Sequence, residues 1–349
     1  MYRYLIIINP LGFLYGSAGA FLSPENLVGR SGAKFPPDAS TLSGLFFGAN
    51  KTEAFIEHEE LKTLHIAGPF WAELDNPEYF YIPIPWTKII NQEEHQTDEW
   101  QIQNGKWYRS EETKDIKPDC RWQTVNSWED SAEEIFRNES VAQDPWKYTS
   151  ILHPKLEKNE RCVREEGGLF LENSVQMGYH SRDNDKKETC LVYLSTHKIP
   201  EGWYCFGGEN HLVEISSMEL PDDSWILKLL RQKIQRSCAL ITPGVWGSTR
   251  YSHRYPQHPT FPKPSYILTD RPSPYRYRVG DNQGKGRLGR GRYAVPAGTV
   301  YVFDEPLNKS WWGEENEPGF PEEWFPNEGF YLKQLGCGLC LPLTIAGVN

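Results

Sequence analysis

Basic residues spaced among glycines could bind phosphate groups. The stretch Gly284-Lys-Gly-Arg-Leu-Gly289 continues to Arg290 and Arg292, so one short loop holds Lys285, Arg287, Arg290 and Arg292. Glycines let the backbone approach a phosphate, and arginine pairs with phosphate oxygens bidentately. The spacing also fits the dinucleotide pattern GxGxxG, but a predicted strand follows it where that pattern requires a helix. We interpret the loop as an RNA contact, with an unstructured surface loop as the alternative.

This loop belongs to a strongly basic segment of an acidic chain. From Lys228 to Arg292 there are 14 Lys or Arg and 2 Asp or Glu, against 37 and 47 in all 349 residues. The segment therefore carries +12 and the remainder −22, within a net charge of −10. Such asymmetry predicts a basic contact surface, which includes Arg250, on an acidic body. A solvated basic face is the alternative.

A second candidate is the segment from Lys34 to Ala49. Pro36 and Pro37 end the preceding structure, and Asp38 or Ser40 can cap a new helix. An apolar stripe at helical spacing is formed by Leu42, Leu45, Phe46 and Ala49. The opposite face carries almost no side chains, at Ser40, Gly44 and Gly48. This face predicts either tight packing on a sheet or a phosphate-bearing ligand near the helix N-terminus.

The elements that must position these residues form two units of strands around a helix. The first unit is predicted from strands over Tyr2–Asn9, Leu64–Leu74 and Tyr79–Pro85, with the helix after the first strand. The stretch 91–146 is predicted as an insertion, which holds a hairpin at Asn104-Gly105 and a short helix over Ser127–Asn138. A protruding hairpin is predicted to end near Met177.

The second unit is predicted to start near Thr189. Its helix runs from Asp222 or Asp223 to about Arg236. Its strands are predicted over Cys190–Ser195, Leu212–Ser216, Ala239–Val245, Val295–Phe303 and Phe330–Leu343. Glycines inside the last strand indicate a bulge or a close backbone approach.

The cysteines and histidines argue against a metal site. The 7 cysteines include one CxxC, at Cys337 and Cys340, whereas a structural zinc site usually needs a second pair. The odd number of cysteines and the short first apolar run, Leu5–Ile8, favour reduced thiols in a cytoplasmic protein. The 9 histidines show no metal-ligand spacing. The acidic aromatic stretch Trp311–Phe325 predicts either an interface with a basic protein or a loop packed on its own domain.

Several segments resemble, in order, those of CRISPR-associated RAMP proteins. The first is Lys34-Phe-Pro-Pro-Asp-Ala-Ser-Thr-Leu-Ser-Gly-Leu-Phe. Later blocks are Tyr79–Pro85, Glu165–Phe170, Gly207-Gly208-Glu209, Leu240–Pro243, Val295–Tyr301 and Gly336–Leu339. The best match is the third-subunit family of Cmr (type III-B) effector complexes. The blocks span nearly the whole chain, except for the stretch 91–146.

The resemblance implies an α+β fold with two ferredoxin-like (RRM-like) domains. The first would cover residues 1–188, with the insertion at about 91–146 and a thumb-like hairpin at about 153–177. The second would cover residues 189–349, with the basic loop 284–292 and a glycine loop 336–338.

The resemblance also implies function. It indicates a non-catalytic RNA-binding subunit of a ribonucleoprotein in antiviral defence, which grips the 5′ handle of the guide RNA, with target RNA nearby. Its protein partners would be the large polymerase-like Cmr subunit and the backbone RAMP subunit. We expect no cofactor, metal or catalytic residue. Matching blocks assign RNA contacts to Lys34, Ser40, Thr41, Gly44, Gly207, Gly208, Gly336 and Gly338.

Charge and placement add Arg161, Arg164 and Arg250 to the arginines of the basic loop as RNA contacts. Two other functions stay open. One is a metal-independent endoribonuclease that processes repeat RNA, with His153 or His180 as acid or base. The other is a scaffold that binds only proteins.

Overall fold

A computed structural model describes most of the chain. The described residues are 1–14, 35–110, 115–154, 162–163, 169–182, 185–207, 210–247, 251–280, 287–314 and 317–348. They form a strand-rich mixed α/β fold with few helices. None of the helices in these ranges combines the length and apolar character needed to cross a membrane.

The described helices are α1 (Ala39–Glu53), α2 (His58–Leu61), α3 (Ala132–Arg137) and α4 (Trp225–Arg231). The first strands are β1 (Tyr4–Pro10), β2 (Ile66–Glu73), β3 (Tyr81–Pro83), β4 (Lys88–Asn91), β5 (Gln96–Glu99), β6 (Gln101–Gln103), β7 (Lys106–Tyr108), β8 (Trp122–Thr124), β9 (Val141–Ala142), β10 (Trp146–Pro154), β11 (Leu169–Met177), β12 (Tyr179–Arg182), β13 (Asp185–Ser195), β14 (Gly202–Phe206) and β15 (His211–Glu219). The later strands are β16 (Ser237–Leu240), β17 (Trp246–Gly247), β18 (Ser252–His253), β19 (Tyr266–Leu268), β20 (Ser273–Tyr275), β21 (Arg278–Val279), β22 (Arg287–Leu288), β23 (Arg292–Ala294), β24 (Val300–Val302), β25 (Gly313–Glu314), β26 (Glu317–Pro318) and β27 (Cys340–Pro342).

The main sheet has the strand order β14-β15-β1-β13-β2-β3-β8-β9, with β12 paired to β13. Strand β13 lies between β1 and β2 and is antiparallel to both. Helix α1 follows β1 and precedes β2, so the chain begins as the predicted β-α-β-β arrangement. In chain order, a ferredoxin-like unit would have its second helix between β13 and β15. This chain has strand β14 there, which forms a hairpin with β15. Leu5–Ile8 of β1 and Cys190–Leu194 of β13 are apolar runs that are buried on both faces of the sheet.

Strand β13 also corrects the predicted domain boundary. The strand crosses positions 188 and 189 and occupies the centre of the main sheet. The next two strands, β14 and β15, belong to the same sheet. The boundary therefore cannot lie at 188/189, because such a cut would remove the strand that joins β1 to β2. The division between the two sheets follows Glu219, where β15 ends.

The predicted insertion over 91–146 is only partly separate from the main sheet. Strands β8 and β9 lie within it and extend the sheet beyond β3. The predicted hairpin is confirmed as β6–β7, where Asn104 and Gly105 have φ of 49° and 72°. The predicted acidic helix is α3. Its capping box pairs Ser131 with Glu134.

The second sheet has the order β19-β24-β16-β27. Helix α4 comes before its first strand, so this sheet does not reproduce the layout of the first. One apolar core joins the two sheets, with Leu5 and Leu194 from the main sheet, Leu230 from α4 and Leu240 from β16. The two predicted units are thus two sheets that share a core.

The predicted thumb-like hairpin is present as β10 and β11, which pair from Trp146↔Met177 to Pro154↔Leu169. It begins earlier than the predicted residue 153. The acidic aromatic segment packs on its own domain, because Trp311, Phe320 and Trp324 are buried in the shared core. This result favours the packing alternative for the stretch Trp311–Phe325.

Candidate nucleic-acid interface

The bare face of α1 is open. Gly44 and Gly48 are exposed, and no described atom lies within 4 Å of a Cβ added at either position. The opposite face is buried through Leu42 and Phe46, as the periodicity predicts. Tight packing on a sheet is therefore wrong for these two glycines, and the exposed backbone of α1 is accessible to a ligand.

The N-terminal end of α1 begins at an acidic residue. Asp38 is the N-cap residue and forms no side-chain capping hydrogen bond, and the first turn carries no acidic residue. Ser40 and Thr41 are half-buried at this end, with hydroxyl groups in the first turn. First-turn N–H groups and the helix dipole favour negative charge there.

The basic loop is part of a longer arm. We define the basic arm as Ser273–Ala294, in which β20 pairs with β23 and β21 pairs with β22. Arg278 and Arg290 are exposed on this arm. The backbone of Arg287 lies in β22, but its side chain lies outside the described part of the chain. The prediction of a loop over 284–292 is thus corrected to strands at 287–288 and 292.

Arg292 differs from the other predicted arginines. Its side chain is 4% exposed and forms an ion pair with Glu328. The hydroxyl of Tyr277 donates to the other carboxylate oxygen of Glu328, at 2.6 Å. Burial, followed by this bond to Glu328, raises the pKa of Tyr277. The predicted RNA contact at Arg292 is therefore wrong, because its guanidinium is enclosed and paired inside the protein.

The two glycines of the predicted glycine loop 336–338 lie inside the protein. Gly336 and Gly338 are buried, with φ of 62° and 72°. A Cβ on Gly336 would collide with Ala67 of β2, and one on Gly338 would collide with the ring of Trp246. These glycines let the C-terminal segment pack closely on Ala67 and Trp246. The predicted RNA contacts at Gly336 and Gly338 are therefore wrong, because both residues are enclosed by protein. The strand predicted over Phe330–Leu343 is also wrong. Leu332–Leu335 forms a 3-10 turn, and only Cys340–Pro342 is strand.

The 3-10 turn Leu332–Leu335 connects α1 to the basic arm. It contacts α1 and β2. Leu332 and Leu335 share an apolar cluster with Tyr275 and Tyr277 of the arm. Burial raises the pKa of Tyr275, and the charges of Cys337 and Asp38 raise it further.

Strand β14 brings another predicted residue to this region. It contacts α1 and ends at Phe206, so Gly207 follows directly with a φ of 83°. Helix α1 therefore contacts both the strand that ends before Gly207 and the turn that packs on the arm. The remaining predicted contacts lie outside the described residues: Lys34, Arg161, Arg164, Gly208, Arg250 and Lys285.

Two exposed cations on or beside the arm were not singled out from the sequence, Arg271 and Arg278. The signal for Arg278 was present in Tyr275-Arg276-Tyr277-Arg278, which alternates with period 2. The structure buries both tyrosines, half-buries Arg276 and exposes Arg278. Arg276 donates from Nε to the carbonyl of Gly289, at 2.8 Å, and so ties the two sides of the arm together.

His180 is held by neighbours at the base of β12. Its Nδ1 lies 2.8 Å from a carboxylate oxygen of Glu73. Its ring makes T-shaped contacts with Trp71 and Tyr81. The rings of Trp71 and Tyr81 stack on each other, with centroids 3.8 Å apart. Lys187 stands opposite His180 on β13. The arrangement fits a structural histidine and also orients an acid–base group, while the ammonium of Lys187 forms an ion pair with Asp75. The side chain of His153 lies outside the described residues.

No protein-family model matches the sequence. No curated protein matches it either. Among solved structures, a chain of the type III-B Cmr-beta complex bound to cognate target RNA is 12% identical, with a TM-score of 0.47 over 85% of this chain and 86% of that chain. The same complex with AMPPnP gives 13% identity and a TM-score of 0.48, over 85% and 86% of the chains.

A crystal structure of the Csm3-Csm4 subcomplex of the type III-A CRISPR-Cas interference complex is also similar. It shows 10% identity and a TM-score of 0.37, over 87% of this chain and 94% of that chain. All three structures contain type III CRISPR complexes, the class that the sequence blocks resemble.

Proposed function

We propose that this protein is a non-catalytic RNA-binding subunit of a type III-B CRISPR effector ribonucleoprotein, which grips the 5′ handle of the guide RNA in antiviral defence. The observation that carries the proposal is the proximity of two features. Helix α1, which carries the open glycine face, and the basic arm both contact the turn Leu332–Leu335. Each feature alone is common on protein surfaces, but together they offer backbone amides and cations to one strand of RNA.

The proposed mechanism is electrostatic and steric. Exposed arginines, including Arg278 and Arg290, neutralise phosphates. Gly44 and Gly48 let the RNA backbone lie against α1, where a larger residue would hold it away. The rest of the chain carries −22, so RNA is repelled from other surfaces. The two effects together orient the RNA on the protein.

The proposed protein partners are the large polymerase-like Cmr subunit and the backbone RAMP subunit, in the cytoplasm. An exposed apolar patch on the edge of the main sheet supports a protein contact. Trp203 of β14 is 70% exposed, and Leu212 opposite Cys205 is also exposed. Target RNA would pass near the hairpin β10–β11, whose Leu152 and Leu169 are exposed close to its described end.

Purification of the protein from its native cells, followed by sequencing of the bound RNA, tests this function. We expect RNAs that share a repeat-derived 5′ end and differ after it. Co-purification of unrelated RNAs in proportion to their abundance would contradict handle recognition. Recovery of protein partners without RNA would instead favour the protein-only scaffold.

The alternative endoribonuclease function is favoured by one observation, the contact of His180 with Glu73 beside Lys187. A carboxylate-oriented imidazole near a cation is a workable acid–base arrangement. Incubation of the full chain with repeat RNA in the absence of metal separates the two functions. We expect uncut RNA. Specific cleavage that disappears in His180→Ala and persists in His197→Ala would establish the enzyme instead.

A further inference from the structure

Two exposed tyrosines lie on neighbouring segments at the base of the basic arm. Tyr251 is 70% exposed and Tyr293 is 50% exposed. The backbone N–H of Tyr293 donates to Oγ of Ser252, at 2.9 Å, so the residue after Tyr251 touches the strand that carries Tyr293. Tyr251 and Tyr293 therefore lie on segments that are in contact, although 42 positions separate them in the sequence.

The strand pattern explains why Tyr293 faces outward. Arg292 and Ala294 on either side are buried, so period 2 turns Tyr293 to the surface. Its cross-strand partner is Pro274, which is exposed too. The other tyrosines of the arm contrast with it, since Tyr275 and Tyr277 are only 4% and 7% exposed. Apolar ring area is thus left in water at Tyr293 while nearby rings are buried.

The segments that carry these rings are rich in exposed cations. Over the described residues 251–280 and 287–294, the exposed charged side chains are Arg254, Lys263, Arg271, Arg278 and Arg290 against the single carboxylate Asp270. Arg254 is three positions from Tyr251, and Arg290 is three positions from Tyr293. Exposed aromatic rings and exposed cations on the same segments are the two components of a single-stranded nucleic-acid site, in which rings stack on bases and cations hold the phosphates.

We propose that Tyr251 and Tyr293 form a stacking platform for two unpaired bases of single-stranded RNA, with Arg254 and Arg290 on the flanking phosphates. This proposal rests on the proposed RNA-binding function and specifies which bases the arm holds, namely splayed ones. Stacking is tolerant of base identity, because every base has a π face. The platform therefore fixes the path of the RNA and leaves sequence recognition to other contacts.

The experiment compares two probes of equal length and charge: a short single-stranded oligouridylate and an abasic ribose-phosphate oligomer. Filter binding with the full chain is expected to show tighter binding of oligouridylate. The double variant Tyr251→Ala/Tyr293→Ala should lose about tenfold or more in affinity for oligouridylate and nothing for the abasic oligomer. The matched variant Tyr251→Phe/Tyr293→Phe keeps both rings and should bind like the unmodified protein.

A second measurement does not depend on a variant. 2-Aminopurine placed within the oligouridylate should lose fluorescence when the unmodified protein stacks on it. If the alanine variant keeps its preference for oligouridylate, or 2-aminopurine emission is unchanged in the complex, the platform is wrong and the RNA-binding function stands. If the unmodified protein binds neither probe, both proposals fail. Equal binding of the two probes overturns the platform alone and leaves the exposed rings to a protein contact.

Discussion

Arg292 and Glu328 form an ion pair that is buried at the base of the basic arm. The hydroxyl of Tyr277 donates to the same carboxylate, so the pair joins both sides of the arm to the segment before the 3-10 turn. Arg290, only two positions earlier, is exposed. Two arginines of one basic run therefore have different tasks, since one holds the arm in place and the other is available to a ligand.

The first prediction concerns Arg292. Replacement by Ala leaves Glu328 buried without its cation, which should lower the free energy of unfolding by about 3–5 kcal/mol. Chemical denaturation followed by circular dichroism measures this loss. The matched control is Arg290→Ala, which should change stability by less than about 0.5 kcal/mol and should weaken RNA binding. Equal stability of the two variants would show that the buried pair contributes nothing.

The second prediction concerns Gly44. Because an added Cβ meets open space, Gly44→Ala should raise the free energy of unfolding by about 0.5–1 kcal/mol. Gly44→Trp should leave the fold intact but hold RNA away from α1. Loss of one charge-assisted hydrogen bond would lower affinity about tenfold to a hundredfold. Thermal melting and filter binding measure the two effects.

Gly336→Ala is the contrasting control for Gly44. At Gly336 a Cβ would collide with Ala67, and the positive φ of 62° also disfavours alanine. This variant should unfold at a lower temperature. If Gly44→Trp lowers the melting temperature as much as Gly336→Ala does, the glycine face of α1 is packed against protein. In that case the interpretation of this face as a ligand-binding surface is wrong.

The third prediction concerns pH and His65. Burial lowers the pKa of His65 to about 4, together with the smaller effects of the cations of Lys333 and Met1 and against a hydrogen bond to the carbonyl of Thr63, which raises it. The unfolded chain, with an ordinary histidine pKa of about 6.5, binds this proton more readily than the folded chain. Stability should therefore fall as the pH drops from about 6.5 to about 4.

Denaturation midpoints over this pH range measure the effect, and His65→Gln serves as the control because glutamine does not titrate. The variant should lose less stability than the unmodified protein between neutral and acid pH. His197, whose pKa is also lowered by burial, is present in both proteins and cancels in the comparison. Parallel curves for the two proteins would contradict the assignment to His65.

Local patterns in the sequence predicted those elements whose stability is local. The Asn104-Gly105 hairpin and the apolar stripe of α1 are both present. Long-range pairing was harder to predict. Nothing in β13 itself indicates that it lies between β1 and β2, because a buried strand looks the same on either side of a domain boundary.

The candidate site shows the same limit. The glycines at 44 and 336 both stood out, but only the fold shows that one faces solvent and the other meets Ala67. Likewise, the sequence predicted the same RNA-binding role for Arg290 and Arg292 because both are charged. Only Arg292 pairs with Glu328, which lies more than 30 positions away in the sequence. Residue type predicted the chemistry of these positions, whereas burial by distant residues decided which of them a ligand can reach.

The salt dependence of RNA binding tests the central claim, that RNA lies against the basic arm, most directly. Filter binding of a repeat-derived RNA is compared for the unmodified protein, Arg278→Glu/Arg290→Glu and the exposed control Lys117→Glu, which lies within 91–146. For single-stranded RNA, log K falls with log salt by about 0.7 per phosphate contact. We predict a steep slope for the unmodified protein and Lys117→Glu, with a slope shallower by about 1.4 for the double variant. A flat response, or identical slopes in all three proteins, would contradict the claim.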